Sequence, residues 1–174
     1  IGAGSRLLIT NTGNGDVFNI SIPTGSSGTV SGDLIFNPNR AIGAGSSVQL
    51  QAADSASVVF TNGASFQYYT SLAANSPFQN TGNTNVVTFN SGATYYYGGT
   101  NTAIQNSGTA QAAPFGLTPP SSKVEFKSGS NFYVWTGLGL GNLDGMTFGN
   151  LIINDQGGAA NIGGTNTLTV TNNW

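Results

Sequence analysis

The chain has 174 residues, a formal net charge of −2 and only 6% charged residues, whereas charged residues form about a quarter of an ordinary globular domain. Four basic residues are too few for the phosphate contacts of nucleic-acid binding, and no segment approaches the roughly 18 apolar residues of a membrane span. The absence of Cys and His excludes disulfides, imidazole metal sites and Ser-His or Cys-His nucleophiles.

The alternation of apolar and polar residues along the chain predicts short β-strands. In chain order, the predicted strands cover residues 7–10, 17–22, 33–36, 48–51 and 168–171. Segments rich in Gly, Asn and Ser separate them, and these are the residue types that turns require. No segment has apolar residues at helical spacing, so the sequence predicts an all-β chain.

Two sequence phrases recur along the chain, each of them three times. The first begins at Ile1, returns at Ile42 and appears in a weaker form at Ile162. The second begins at Val58, Val87 and Val124. Its copies align three phenylalanines, then three glycines, then three aromatic residues: Phe60, Phe89 and Phe126; Gly63, Gly92 and Gly129; Phe66, Tyr95 and Phe132. Such repetition is typical of proteins built by stacking one unit on the next.

The repeats favour a right-handed parallel β-helix, a β-solenoid, formed by residues 1–174 as a single segment. With coils of about 20–25 residues, the chain would form seven or eight coils and a rod about 35–40 Å long. The alternative is a sandwich with antiparallel hairpins, for which Asn14-Gly15 and Asn62-Gly63 could supply two-residue turns. Residues 100–122 contain three prolines and break the alternation, which predicts a loop insertion.

The two ends of the predicted rod carry no helical or charged cap, and no leader sequence precedes Ile1. We therefore expect the chain to be a segment of a longer protein whose targeting signal lies elsewhere. Because the last copy of the first phrase matches the first copy, the sequence predicts end-to-end self-association into a homo-oligomer or filament.

Residues 148–158 (FGNLIINDQGG), followed by residues 162–173 (IGGTNTLTVTNN), resemble repeats of large extracellular proteins exported by the type IX secretion system. The phrase at residues 87–95 is similar to another element of those arrays. The resemblance implies a secreted or cell-surface bacterial protein that serves as an adhesin, filament or matrix fibre. It implies no active site, so we expect a non-enzymatic structural or adhesive segment.

The carboxylates do not suggest a catalytic or metal site. They are scattered singly along the sequence, as Asp16, Asp33, Asp54, Glu125, Asp144 and Asp155, whereas glycoside hydrolysis needs a pair at a defined separation. Glu125 lies between Lys123 and Lys127, and alternation places all three on one face as a solvated ion-pair cluster. The single Gly-rich run at residues 137–145 is better explained as a turn than as a calcium site. We expect no catalytic residue, no metal and no cofactor.

The aromatic residues give the one candidate contact surface. If Phe66, Tyr95 and Phe132 point into the core, the opposite parity places Tyr96 and Tyr133 outside, with Tyr69 and Trp135 nearby on the same face. Amphipathic aromatic side chains favour contacts with flat sugar rings or with a neighbouring fibre. A carbohydrate-binding β-helix of an adhesin or tailspike is therefore the alternative function, and a polysaccharide-active enzyme is a weaker one.

Overall fold

The computed structural model describes residues 1–11, 17–38, 47–69, 77–78, 85–101, 106–108, 115, 124–136, 143, 145–155 and 167–173. Within these ranges the chain forms fourteen β-strands and no helix. The strands are β1 (Arg6–Asn11), β2 (Val17–Ile22), β3 (Gly28–Val30), β4 (Asp33–Pro38), β5 (Ser47–Ala52), β6 (Val58–Phe60), β7 (Ser65–Tyr68), β8 (Val87–Phe89), β9 (Thr94–Asn101), β10 (Asn106–Gly108), β11 (Val124–Phe126), β12 (Asn131–Thr136), β13 (Thr147–Asp155) and β14 (Thr169–Asn173). The prediction of an all-β chain is confirmed.

The strands form three sheets. The long sheet has the order β1-β4-β7-β9-β12-β13-β14, the short sheet has the order β11-β8-β6-β3, and β2 and β5 form a two-stranded sheet. All of these neighbours are parallel, and β10 is antiparallel to β9 at the side of the long sheet. Asn62-Gly63 joins β6 of the short sheet to β7 of the long sheet. It therefore does not form the two-residue hairpin of the sandwich alternative.

The chain visits the sheets in a repeating order. The strands β1, β2 and β3 lie in the long, two-stranded and short sheets, and β4, β5 and β6 follow in the same order and pair with them. The sequence distance between hydrogen-bonded neighbours in the long sheet is uneven. It is 32 residues from Asp33 to Ser65, 37 from Thr94 to Asn131 and 19 from Asn131 to Asn150. Strand register is therefore maintained while the length of the connecting chain varies.

The aligned phenylalanines form a ladder in the core. Phe60, Phe89 and Phe126 are paired in register across the short sheet and are buried. Their ring centroids lie 4.6 Å and 5.0 Å apart, and their planes differ by 10° and 9°. Phe148 of β13 extends the ladder at 5.1 Å from Phe126. Stacked rings of this kind add to the free energy gained by burying their apolar surface.

A second aromatic row in the long sheet packs against this ladder. Phe66, Tyr95 and Phe132 are in register, and each ring centroid lies 5.1 Å from the next. Phe60 and Phe66 are 5.7 Å apart, which joins the two rows. The predicted alignment of the second phrase is thus confirmed at both aromatic positions.

The aligned glycines form the corner between the short and long sheets. In each copy a four-residue turn is closed by a hydrogen bond from the fourth N–H to the first carbonyl, in Thr61–Ala64, Asn90–Ala93 and Lys127–Ser130. The third residue has a φ of +79°, +77° and +79° respectively, which favours glycine as in a type II turn. The turns also stack, because Gly63 N–H donates to Gly92 O and Gly92 N–H donates to Gly129 O.

The copies of the first phrase do not occupy equivalent places. Their described parts form β1 at one edge of the long sheet, β5 in the two-stranded sheet and β14 at the other edge of the long sheet. In the segment predicted as an insertion, β10 pairs with β9, and the buried Phe115 contacts Tyr95 and Phe132. Most of residues 100–122 lies outside the described residues, so the insertion stays a prediction.

Candidate contact surface on the long sheet

Two rows of residues face away from the core along the long sheet, because they alternate with its buried residues. The polar row, in register, is Arg6, Asp33, Ser65, Thr94, Asn131, Asn150 and Asn173. The second row lies two residues further along each strand, and we call it the aromatic row after Tyr96 and Tyr133. Its members are Leu8, Ile35, Gln67, Tyr96, Tyr133 and Ile152. Ser65 of the polar row and Ile35 of the aromatic row are buried, so the accessible continuous part of the aromatic row begins at Gln67.

Tyr96 and Tyr133 lie side by side in the aromatic row. Their ring centroids are 5.5 Å apart and their planes differ by 44°. Tyr96 is 37% exposed and Tyr133 is half-buried. Ile152, the next residue in register, is 40% exposed. The strand alternation of β9 explains this arrangement, since Tyr95 and Tyr97 are buried on the other face.

Side-chain hydrogen bonds connect the polar row across the strands. Asn150 Nδ2 donates to Asn131 Oδ1 at 2.8 Å, and Asn131 Nδ2 donates to Thr94 Oγ1 at 3.2 Å. The backbone N–H of Asn173 donates to Asn150 Oδ1 at 3.2 Å. A side-chain amide has two N–H donors and an oxygen with two lone pairs. These bonds therefore fix the orientation of the amides and use only part of their hydrogen-bonding capacity.

The other end of the polar row carries a charged pair. Arg6 Nε lies 3.6 Å from Asp33 Oδ2, and Ser65 Oγ donates to Asp33 Oδ1 at 2.7 Å. Gln67 Nε2 donates to Ser65 Oγ at 2.8 Å, and Tyr69 Oη donates to Gln67 Oε1 at 2.9 Å. The charge of Asp33 is therefore balanced within this chain of contacts.

The structure describes three of the four aromatic side chains predicted from the sequence. Tyr96 and Tyr133 are in contact, whereas Tyr69 is half-buried and bonded to Gln67. The backbone of Trp135 pairs with that of Gly98, and its side chain lies outside what the structure describes. The role of all four as a contact surface stays a prediction.

The carboxylates with described side chains lie in separate places. Glu125 is 2.5 Å from Lys127 Nζ, as predicted, while Lys123 lies outside the described residues. Asp54 Oδ2 accepts a hydrogen bond from Gly25 N–H at 2.6 Å. No group of three or more metal-ligating side chains is found in the described part of the chain. Of the Gly-rich run at residues 137–145, the structure describes Leu143 and Gly145. The carbonyl of Leu143 accepts a hydrogen bond from Met146 N–H, and Gly145 has a φ of +73°.

The polar row was not predicted from the sequence, although a signal for it is present. In each copy of the second phrase, the residue two positions after the turn glycine is short and polar: Ser65, Thr94 or Asn131. The alternation places this residue outside and in register with its counterparts. Aligning the polar positions of the repeats together with the aromatic ones would have identified the row.

Comparison with known proteins provides no family assignment. No family model, no curated protein and no solved structure matches this chain. The resemblance to arrays exported by the type IX secretion system therefore stays a prediction. Among the described residues, none belongs to a helix of the length and apolar character needed to cross a membrane.

Proposed function

We propose that this chain is a right-handed parallel β-helix segment of a secreted or cell-surface bacterial protein, with a non-enzymatic structural or adhesive role. The observation that supports this best is the in-register stacking of like residues in two sheets at once, Phe60, Phe89 and Phe126 in one and Phe66, Tyr95 and Phe132 in the other. A fold that stacks like units grows along one axis. Such growth suits a spacer, a fibre or an extended adhesive surface.

The exposed apolar residues of β1 and β2 support end-to-end association of copies. Leu7 is 41% exposed and Phe18 is 45% exposed. Their partners in the neighbouring strands, Leu34 and Val48, are buried. These inward-facing rows therefore remain open at β1 of the long sheet and at β2 of the two-stranded sheet. Strands from a second copy would bury both side chains and pair with the backbone of β1.

The opposite edge of the long sheet suggests how the copies are arranged. The strand β14 is exposed along most of its length, and among the described strands its backbone pairs with β13 alone. A contact between β14 of one copy and β1 of the next would join unlike edges. Such a heterologous contact does not close on itself when the rotation per copy is small, and it generates an open filament.

Leu7 and Leu8 provide a matched test of this association. Both are 41% exposed on β1, but Leu7 belongs to an inward row and Leu8 to an outward one. We expect Leu7→Asp to reduce self-association strongly in sedimentation velocity and electron microscopy, and Leu8→Asp to leave it nearly unchanged. Thermal melts verify that both variants fold. A wild-type protein that stays monomeric at high concentration, or an equal loss in both variants, would contradict the proposed contact.

A further inference from the structure

The outer face of the long sheet combines apolar and hydrogen-bonding groups in a repeating arrangement. Each of three neighbouring strands presents one residue of each kind: Thr94 and Tyr96, Asn131 and Tyr133, Asn150 and Ile152. Two residues on one face of a strand are about 6.6 Å apart along it, and neighbouring strands are about 4.8 Å apart. The surface therefore offers the same pair of groups at a regular interval across the strands. We call these six residues the contact surface.

We propose that the contact surface binds an uncharged linear polysaccharide whose chain runs across the strands. The proposal deepens the adhesive role inferred above and rests on it. A pyranose ring has an apolar C–H face and a rim of hydroxyl groups. The exposed ring of Tyr96 and the neighbouring ring of Tyr133 can stack against the C–H faces, since the face of an aromatic ring carries partial negative charge.

The amides beside the aromatic residues fit the rim of such a sugar. Asn131 and Asn150 are held in one orientation by their mutual hydrogen bond at 2.8 Å. Each has donor and acceptor capacity beyond that bond, so it can serve hydroxyl groups in either role. Because the amides are fixed before a ligand arrives, binding costs little side-chain entropy. The strand interval of about 4.8 Å is similar to the length of one pyranose unit, so successive sugars meet equivalent groups.

The distribution of charge favours an uncharged ligand. The described charges of the two outward rows are Arg6 and Asp33, which pair with each other at 3.6 Å. One strand, β7, separates Asp33 on β4 from Thr94 on β9, where the contact surface begins. An acidic polysaccharide would find no unpaired described cation along these rows, and its carboxylates would lose hydration without compensation. A second copy of the chain is the other occupant to be tested.

The test uses affinity electrophoresis of the full chain in gels that contain a neutral glucan, a galactomannan, a xylan or the acidic polygalacturonate. We expect at least one neutral polysaccharide to retard the protein. The double variant Tyr96→Ala with Tyr133→Ala should weaken that binding at least about tenfold, or about 1.4 kcal/mol. Ile152→Tyr should strengthen it, because it extends the aromatic surface by one strand. Leu8→Ala is the control and should bind normally, because Leu8 is 41% exposed but is separated from the contact surface by the buried Ile35.

Several outcomes would overturn the proposal. These are no retardation in any neutral gel, retardation by polygalacturonate alone, and a double variant that binds as the wild type does. If the double variant loses self-association and the wild type binds no polysaccharide, the contact surface joins copies of the chain instead. The end-to-end association is assayed separately with Leu7→Asp. A wild-type protein that self-associates but binds no neutral polysaccharide would show that the polysaccharide proposal has failed. A wild-type protein that binds a neutral polysaccharide but stays monomeric would show that the end-to-end proposal has failed.

Discussion

At the scale of single residues, Ala56 differs from its counterparts in the other turns. Asp54–Ser57 has the same closing hydrogen bond as Thr61–Ala64, and its third residue also has a positive φ, +53° at Ala56 against +79° at Gly63. A side chain with a Cβ is strained in this region, whereas glycine is not. The turn therefore retains a strain that the glycine-containing turns avoid.

Substituting Ala56→Gly should relieve this strain. We expect an increase of about 1 kcal/mol in the free energy of unfolding, since the relief exceeds the added entropy of glycine in the unfolded chain. The matched control is Gly63→Ala, where a Cβ would meet nothing within 4 Å, so only the backbone conformation opposes it. It should destabilise by a similar amount in urea titrations. Destabilisation by Ala56→Gly would contradict this explanation of the turn.

Tyr95 should make the stability of the protein depend on alkaline pH. Burial raises the pKa of Tyr95 well above its ordinary value, and the nearby Tyr97 and Tyr68 raise it further. The unfolded chain loses this proton near pH 10, while the folded state still holds it. The stabilising effect is therefore complete below about pH 10 and is lost as the pH rises toward the folded-state pKa.

This dependence can be measured by urea unfolding between neutral and strongly alkaline pH. We expect the contribution of Tyr95 to fall by at most about 1.4 kcal/mol per pH unit above pH 10. Tyr95→Phe should show a shallower alkaline decline. An equal decline in wild type and Tyr95→Phe would contradict the assignment to Tyr95.

At the scale of the elements, the phenylalanine ladder is expected to dominate the stability of the short sheet. Phe89 is buried between Phe60 and Phe126, and its ring plane is within 10° of both. Phe89→Ala would remove two stacked contacts and leave a cavity, at a cost of about 3–5 kcal/mol. Phe18→Ala, at an exposed position, should cost much less. A loss below about 1 kcal/mol for Phe89→Ala in denaturant titration would be inconsistent with the ladder.

The sequence predicted those elements whose repeats keep a constant spacing. The spacing from Phe60 to Phe66 is the same as that from Phe89 to Tyr95. In the structure Phe60 is in register with Phe89, and Phe66 with Tyr95. The copies of the first phrase lie in two different sheets, because their strand-forming residues suit any half-buried strand and do not specify a sheet. The repeats carry a signal for Ser65, Thr94 and Asn131 of the polar row, whereas Asn150 follows Asn131 by 19 residues and lies outside the repeated phrase.

At the scale of the whole molecule, the proposed filament should respond weakly to salt. The inward-facing residues that the contact would bury, Leu7 of β1 and Phe18 of β2, are apolar, and the other bonds would join backbone amides. Salt screens interactions between charges and leaves these contacts largely unaffected. We therefore expect similar sedimentation profiles at low salt and at about 1 M salt. Dissociation at high salt would indicate an ionic interface instead.

The corner turns have a consequence for how a chain of this kind tolerates changes of length. Each of the turns Thr61–Ala64, Asn90–Ala93 and Lys127–Ser130 connects its two strands with the same number of residues, while the distances between bonded strands in the long sheet range from 19 to 37 residues. A residue added at a corner would shift β9 by one position and exchange its two faces. Tyr96 would then enter the core, and Tyr95 would face solvent. Variation in length is therefore compatible with the fold only away from these corners, where new loops can be acquired without disturbing either face of the sheet.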